Sequence, residues 1–266
     1  MRILSRITQS ISRLVHWSVT APKKMGAALK TIEPCARGMR FAAAARSTGK
    51  LPAGDISDAP NPLRDYFETN NEGPGIFKWV HYFEIYHRHL KKFVGTDVHI
   101  MEIGVYSGGS LQMWRQYFGD KCQVFGVDIE AACKVYEADR IKVLIGDQGD
   151  RTFWASVRKA VPRLDVLIDD GSHHPEQQIA SLEEMLPHLN PGGVYICEDT
   201  HGVPNYFTSY VGGIANQTNG MRPSRFESAI DSIHIYPCVS VIEKRQTERV
   251  ISSEMHGTQW AWQPRP

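Results

Sequence analysis

The chain has 266 residues, 42% of them apolar and 22% charged, the balance of a globular protein long enough to bury a sizeable core. This excludes a disordered tail or a disulfide-stapled miniprotein, and a net charge of +1 gives no basis for a nucleic-acid partner. The total conceals two unlike parts: ten Lys or Arg against one acid, Glu33, give residues 1–50 a charge of +9, so the remaining residues carry −8. Five widely spaced cysteines (Cys35, Cys122, Cys133, Cys197, Cys238) form no C-x-x-C pair. They predict neither a disulfide framework nor a structural zinc site, and they fit a reducing, cytoplasmic setting. No apolar run is long enough to span a bilayer, and the N-terminus lacks the continuous apolar core of a secretory signal.

Near the start, Ile3, Leu4, Ile7, Ile11, Leu14, Val15 and Val19 recur at three- and four-residue steps with Arg2, Arg6 and Arg13 between them. The pattern predicts a basic amphipathic helix within a leader over residues 1–50. An acid-poor, Arg-rich leader suits a mitochondrial presequence, a helix making weak contact with an anionic membrane surface, or a dispensable extension. Residues 51–75, dense in Pro, Gly, Asp and Asn, read as a linker. From Ile76 the pattern is helical, with Ile76, Trp79, Val80, Phe83, Tyr86, Leu90 and Phe93 on one apolar stripe and Lys78, His81, Arg88 and Lys92 off it.

Strand-like and helix-like runs then alternate, the signature of a parallel sheet with helices on both faces. Strands are predicted at 98–105, 122–128, 141–145, 165–170 and 193–199, and helices at 109–118, 151–160, 175–187 and around 205–218. In the 175–187 helix Pro175 suits the first turn, and Ile179, Leu182, Leu186 and Leu189 make the buried stripe. Two last strands, 232–237 and 239–245, are joined too closely for a parallel crossover and must be antiparallel. The fold class is therefore α/β, a doubly wound, mostly parallel sheet with an antiparallel last strand. Residues 251–266 form a C-terminal tail without an assigned role.

The chemistry gathers at strand ends, where ligands collect in such sheets. The first strand runs into MEIGVYSGGS (101–110), an acid and a glycine-rich turn leading into a helix. Tyr106 stands where a dinucleotide-binding G-x-G-x-x-G would need its second glycine, which argues against a bound pyrophosphate. Asp128 ends the second strand, placed to accept ribose hydroxyls, and GDQGD (146–150) follows the third, with Asp147 and Gln148 able to face an adenine edge. The fourth and fifth strands end in LIDDGSHH and YICEDTH, bringing Asp169, Asp170, Glu198 and Asp199 to one edge. Four acids converging without a cation repel and are driven towards protonation. Asp170 and Asp199 are assigned to a divalent metal, Mg²⁺ or Mn²⁺ by their hard oxygen donors, and Asp169 and Glu198 are either further ligands or helix caps. An inward-turned His201 would weaken that preference for hard ions. His173, three residues beyond Asp170, is the candidate general base, with His174 as its competitor.

EIGVYSGGS, FGVDIE, GDQGD, IDDGSHH and LNPGGVYICEDTH, in that order over residues 76–245, make the chain resemble a class I S-adenosylmethionine-dependent methyltransferase, a seven-stranded Rossmann-like fold. The motifs look closest to the macrocin and mycinamicin sugar O-methyltransferases, and more distantly to the catechol O-methyltransferases and cephalosporin-hydroxylase-like proteins. The resemblance implies a methyltransferase domain over residues 76–250, with S-adenosylmethionine and Mg²⁺ as cofactors. It implies that Glu102, Gly104, Tyr106, Ser110, Asp128, Asp147 and Gln148 line the cofactor site, that Asp170 and Asp199 hold the metal, and that His173 is the catalytic base. The implied reaction is Mg-assisted O-methylation of a small-molecule hydroxyl, on a sugar, small polyol or natural product, and homo-oligomerisation stays open. Thr200 stands where the catechol enzymes carry a third ligand, Asn. The rival readings are a metal-dependent hydrolase or hydroxylase using the same acids, and a degenerate methyltransferase-fold scaffold.

Overall fold

The computed structural model describes residues 31–44, 60–218, 229–247 and 256. The predicted leader helix over residues 3–19 lies outside them, as does the C-terminal tail except His256. Two compact units divide the chain at Ala59 and Pro60. Within the first, residues 31–44 form a largely exposed helix, α1. All strands among the described residues belong to the second.

The second unit opens with a helix that the sequence reading took for linker: α2, Pro62–Thr69. Asn61 makes the difference. Its side chain accepts hydrogen bonds from the N–H groups of Leu63 and Arg64, Pro62 occupies the first turn, and the Asn61 amide donates to Phe83 O at 2.9 Å. With Leu63 fully buried, this helix is part of the core, and turn-rich composition concealed a short capped helix.

Seven strands follow: β1 His99–Ile103, β2 Gln123–Asp128, β3 Ile141–Ile145, β4 Leu164–Asp169, β5 Leu189–Cys197, β6 Ile230–Tyr236 and β7 Val239–Lys244. Their spatial order is β3-β2-β1-β4-β5-β7-β6, parallel through β5, with β7 antiparallel to both neighbours as its short connection to β6 requires. Helices α3 (Tyr82–Leu90), α4 (Gly109–Phe118), α5 (Arg151–Ala160), α6 (Pro175–Met185) and α7 (Tyr206–Thr218) complete the unit. Side chains alternate along each strand, so Ile100, Val166, Val194 and Val241 join one core with Tyr86 and Trp114, while Met101, Leu167, Tyr195 and Ile242 join another with Trp154 and Leu182. Helices α2, α3 and α4 cover the first face; α5, α6 and α7 cover the second.

The helix predicted from Ile76 is a correction. Its helical part begins only at Tyr82, and Trp79 and Val80, assigned to the buried stripe, are 57% and 44% exposed. Residues 76–81 instead cross the carboxyl edge of the sheet as irregular backbone, which places Lys78 inside the molecule. Helix α3 is fastened at its other end by His89, whose Nδ1 lies 2.5 Å from Glu243 Oε1 and whose Nε2 lies 2.9 Å from the Tyr236 hydroxyl. That bond, more than any other influence, pulls the Glu243 carboxyl down to about 2.

Replacing Asn61 by Ala removes a cap and the amide's bond to the Phe83 carbonyl, at an expected cost of about 1–2 kcal/mol. Urea unfolding of the full chain measures this; an unchanged midpoint would mean that the Asn61 side chain does not hold α2 in place.

Candidate active site

The strand order reverses between β1 and β4, and a cavity of about 740 Å³ opens at the carboxyl ends there. The size is within the range of small-molecule sites. Gly104 makes the crevice geometrically feasible. It has φ +89°, and a Cβ on it would lie 2.1 Å from the Asp170 carbonyl oxygen, so only glycine lets the loops after β1 and β4 pass this closely. Gly108, also left-handed, sits at the N-terminus of α4, where a Cβ would strike the Tyr136 ring.

The cavity wall contains Gly104, Tyr106, Ser110, Asp128, Asp147, Gln148, Asp170, His173 and Asp199, all but one of the ten residues that the resemblance assigns to cofactor, metal and base. Glu102 is the exception. It is fully buried beneath the wall, with Oε2 accepting from Ser110 Oγ at 2.6 Å and Oε1 at 3.1 Å from Lys78 Nζ. Asp128 uses Oδ2 to accept the N–H groups of Val105 and Tyr106, at 2.8 and 3.1 Å, and Oδ1 to accept that of Glu130. Burial works against its charge, but these backbone donors outweigh burial and hold the carboxyl below its usual range. Asp128 therefore organises the glycine loop as well as facing the cavity.

Gln148 departs from the sequence expectation. Its Nε2 donates to Asp169 Oδ1 and Ser181 Oγ, and its Oε1 accepts from the Ser172 N–H at 2.7 Å, so the amide is committed to the scaffold and is not left free for an adenine edge. Asp147 is exposed and accepts the Gly149 N–H. Asp169 is neither ligand nor cap: it points into the second core, bonded to Gln148 and to the Tyr195 hydroxyl, and burial pushes its carboxyl up to about 6.

The acids nearer the mouth are held by a device absent from the sequence reading. Lys78 Nζ lies 2.5 Å from Asp170 Oδ2, 3.1 Å from Glu102 Oε1 and 3.1 Å from Glu198 Oε2, with its side chain only 3% exposed. Burial opposes its charge, yet Glu198, Asp170 and Glu102 outweigh that and keep the ammonium protonated well above the ordinary lysine range. Tyr86 donates to Glu198 Oε1 at 2.5 Å and Tyr82 to Asp199 Oδ1 at 2.6 Å. Burial pushes the Glu198 carboxyl up, and the nearby Asp170 pushes it further. A positive residue four and eight positions ahead of two tyrosines is the available signal in the sequence, masked because Tyr86 also suits the apolar stripe.

One oxygen of Asp170 and one of Asp199 remain turned towards His173, whose Nε2 lies 4.0 Å from Asp170 Oδ1 and 3.5 Å from Asp199 Oδ2. Each of the three residues offers a ligand atom within 4.8 Å of the others. His173 and Asp199 both have left-handed backbone, φ 58° and 53°, a conformation that costs free energy in non-glycine residues and is held here by the surrounding loops. His174 precedes α6, is exposed, and does not line the cavity; His201 is likewise exposed and outside it. Phe77 and Trp79, 82% and 57% exposed, form an aromatic rim that the sequence did not assign.

A doubly wound seven-stranded sheet with a reversed β7 and a cavity at its switch point is the S-adenosylmethionine-dependent methyltransferase architecture. Residues 101–200 match the methyltransferase domain family. The demethylmacrocin O-methyltransferase of Streptomyces fradiae is 33% identical over 60% of this chain and 41% of its own length. The mycinamicin VI 2''-O-methyltransferase of Micromonospora griseorubida is 30% identical over 65% of this chain and 50% of its own. Among solved structures, the MycE methyltransferase of the mycinamycin pathway, crystallised with Mg, SAH and mycinamycin VI, superposes with a TM-score of 0.58 at 27% identity, covering 71% of this chain and 54% of that one. The chain thus spans about half the length of the curated relatives it matches. No helix among the described residues is long and apolar enough to cross a membrane.

Asp169 supplies a pH test. Its carboxyl titrates higher when folded than unfolded, so unfolding releases its proton between the two values and stability falls as pH rises from about 4 to about 6. Asp169→Asn keeps the shape and removes the charge. The stability advantage of the variant over wild type should grow across that window in parallel denaturation curves; a constant difference would show that Asp169 titrates normally.

Proposed function

We propose that the protein is an S-adenosylmethionine-dependent O-methyltransferase, assisted by Mg²⁺, acting on a hydroxyl of a sugar, small polyol or natural product. One observation carries this reading: His173 Nε2 stands beside the two free carboxylate oxygens of Asp170 and Asp199 at the mouth of the cavity formed by the glycine turn. The relatives' own activities, O-methylations of sugars on natural products, agree with it.

The residues present fit both groups. Gly104, Tyr106, Ser110, Asp128 and Asp147 border a cavity of adequate volume for the cofactor, and its narrow part needs a residue without Cβ. Asp170 and Asp199, each with one oxygen already bound by a protein donor and one free, would hold a hard divalent ion. When bound, these groups supply a methyl on a sulfonium and a Lewis acid for the acceptor hydroxyl. The chain's own contribution is positioning and proton transfer. His173 Nε2, 3.5 Å from Asp199 and 4.0 Å from Asp170, takes the proton of the acceptor hydroxyl, the nearby acids favouring the imidazolium formed. Holding the acceptor oxygen in line with the methyl is the larger effect, since fixing two reactants lowers a barrier by about 7–11 kcal/mol. Phe77 and Trp79 offer apolar faces against which an acceptor ring packs. The same reading places the protein in the cytoplasm, with the catalytic unit beginning near residue 60 rather than 76, since α2 belongs to its core, and residues 1–50 as a separate leader.

Methyl transfer from labelled cofactor to a panel of glycosides and polyols tests the reading. His173→Ala should lower kcat by about 10²–10⁴ while leaving S-adenosylhomocysteine binding intact, and EDTA should abolish turnover. Undiminished rates in either case would remove the corresponding role, and failure of the wild-type chain to bind S-adenosylhomocysteine would sink the whole assignment.

A further inference from the structure

Outside the cavity, another group of metal-ligating side chains gathers where the last turn of α3 packs against β6 and β7. Alternation along the strands sends Ser232, His234 and Tyr236 of β6 to the face that α3 covers, and Glu243 of β7, paired with Ser232, points the same way. His89, with its side chain 4% exposed, meets them from α3. Its Nδ1 lies 2.5 Å from Glu243 Oε1, and the His89 and His234 ring centroids are 4.7 Å apart. One nitrogen from each ring and one Glu243 oxygen lie within 4.8 Å of one another. None of the three lines the cavity, and the reaction above uses none of them.

We propose that His89, His234 and Glu243 bind Zn²⁺, with water completing a tetrahedral shell. Two imidazoles and one carboxylate are a borderline-soft donor set that suits Zn²⁺, whereas the carboxylates Asp170 and Asp199 suit a harder ion. Outer partners are already in place. The Tyr236 hydroxyl lies 2.9 Å from His89 Nε2, leaving Nδ1 turned to Glu243, and Ser232 Oγ, 3.0 Å from His234 Nε2, steadies the second ring. Such partners orient imidazole ligands and raise their basicity. Glu243 Oε2 is 3.4 Å from Lys92 Nζ, which leaves Oε1 as the ligating oxygen. Lys92 and Arg88 oppose a divalent ion by their charge. Water screens both, since Lys92 is 43% exposed and the exposed Arg88 reaches only the Tyr236 hydroxyl, at 3.4 Å.

Little movement is needed. Two donors about 2.0–2.1 Å from one tetrahedral ion are roughly 3.3 Å apart, so the contact between His89 and Glu243 opens by less than about 1 Å. The proton between them leaves as the ion enters. An ion here joins a helix to two strands remote from it in sequence, and that helix carries Tyr82 and Tyr86, whose hydroxyls hold Asp199 and Glu198. Its role is to brace α3 against the sheet.

Zn²⁺ titration of the untagged full chain against a chromophoric chelator, in excess Mg²⁺, tests this in wild type, His234→Ala, Glu243→Gln and His173→Ala. Wild type should bind Zn²⁺ with a Kd of about a micromolar or tighter. His234→Ala and Glu243→Gln should each weaken binding by about a hundredfold or more, because losing even an outer partner costs about 10–100-fold. His173→Ala, which alters the cluster at the carboxyl edge instead, should keep the wild-type affinity. Co²⁺ in place of Zn²⁺ should give wild type the strong visible absorption of a tetrahedral site, and His234→Ala should lack it. Zn²⁺ should also raise the thermal midpoint of wild type and leave that of His234→Ala unmoved. No Zn²⁺ binding by wild type, wild-type affinity in His234→Ala, or binding lost in His173→Ala overturns the proposal. His234 is half-buried on the edge strand β6, so its variant should fold; were it to unfold, Glu243→Gln makes the same comparison. None of these outcomes bears on the proposed methyl transfer, which depends on other residues.

Discussion

Glu102 on β1, Asp170 just beyond β4 and Glu198 just beyond β5 come from neighbouring strands, and one ammonium, that of Lys78, lies within 3.2 Å of all three. Parallel strands sit roughly 4.8 Å apart, so acids at their ends are forced into mutual range whatever else the sequence does. Without a fixed cation these groups would have to be protonated or turned to solvent, and the crevice between β1 and β4 would lose its shape. Removing one member of such a buried set is expensive, typically about 3–5 kcal/mol, because the charges left behind are neither hydrated nor paired. Lys78, Tyr82 and Tyr86 therefore do for the carboxyl edge what the apolar cores do for the two faces of the sheet.

The same arrangement separates two functions within a few ångströms. Glu102 and Ser110 lie under the glycine turn, on the proposed cofactor side, while Asp170, His173 and Asp199 stand on the acceptor side. Gly104 lets the two loops touch, its backbone directly against the Asp170 carbonyl. A small displacement of either loop is thus felt by the other. The left-handed backbone of His173 and Asp199 falls at this boundary, where a fixed geometry between base and carboxylates is worth its energetic cost.

Much of this was legible in the chain. Alternating periodicities gave the order of strands and helices, with α4 and α5 placed to the residue, because glycine at the start of α4 and Asp150 as a cap on α5 are local signals. The ordered strand-end motifs located the part of the cavity wall that lies at the ends of β1 to β5, but not the part that residues 75–82 supply. Two local readings failed for the same reason. The linker concealed α2, whose cap Asn61 is completed by Phe83, 22 residues away, and the expected helix from Ile76 starts late because its first residues are drawn across the sheet edge. In both places a long-range partner outweighed the local pattern.

From the sequence alone came the fold class, the reversed last strand, and the set of residue types that reach the carboxyl edge, since each follows from periodicity, loop length and residue order. The tertiary structure decided which way each side chain turns. Gln148 and Asp169 face inward because Ser181 and Tyr195 await them, His173 rather than His174 enters the cavity, and Lys78, 24 residues before Glu102 and 120 before Glu198, becomes the counter-ion. Charges so far apart in sequence have no local signature. Only the packing of strands side by side gives four acids and one lysine a common address.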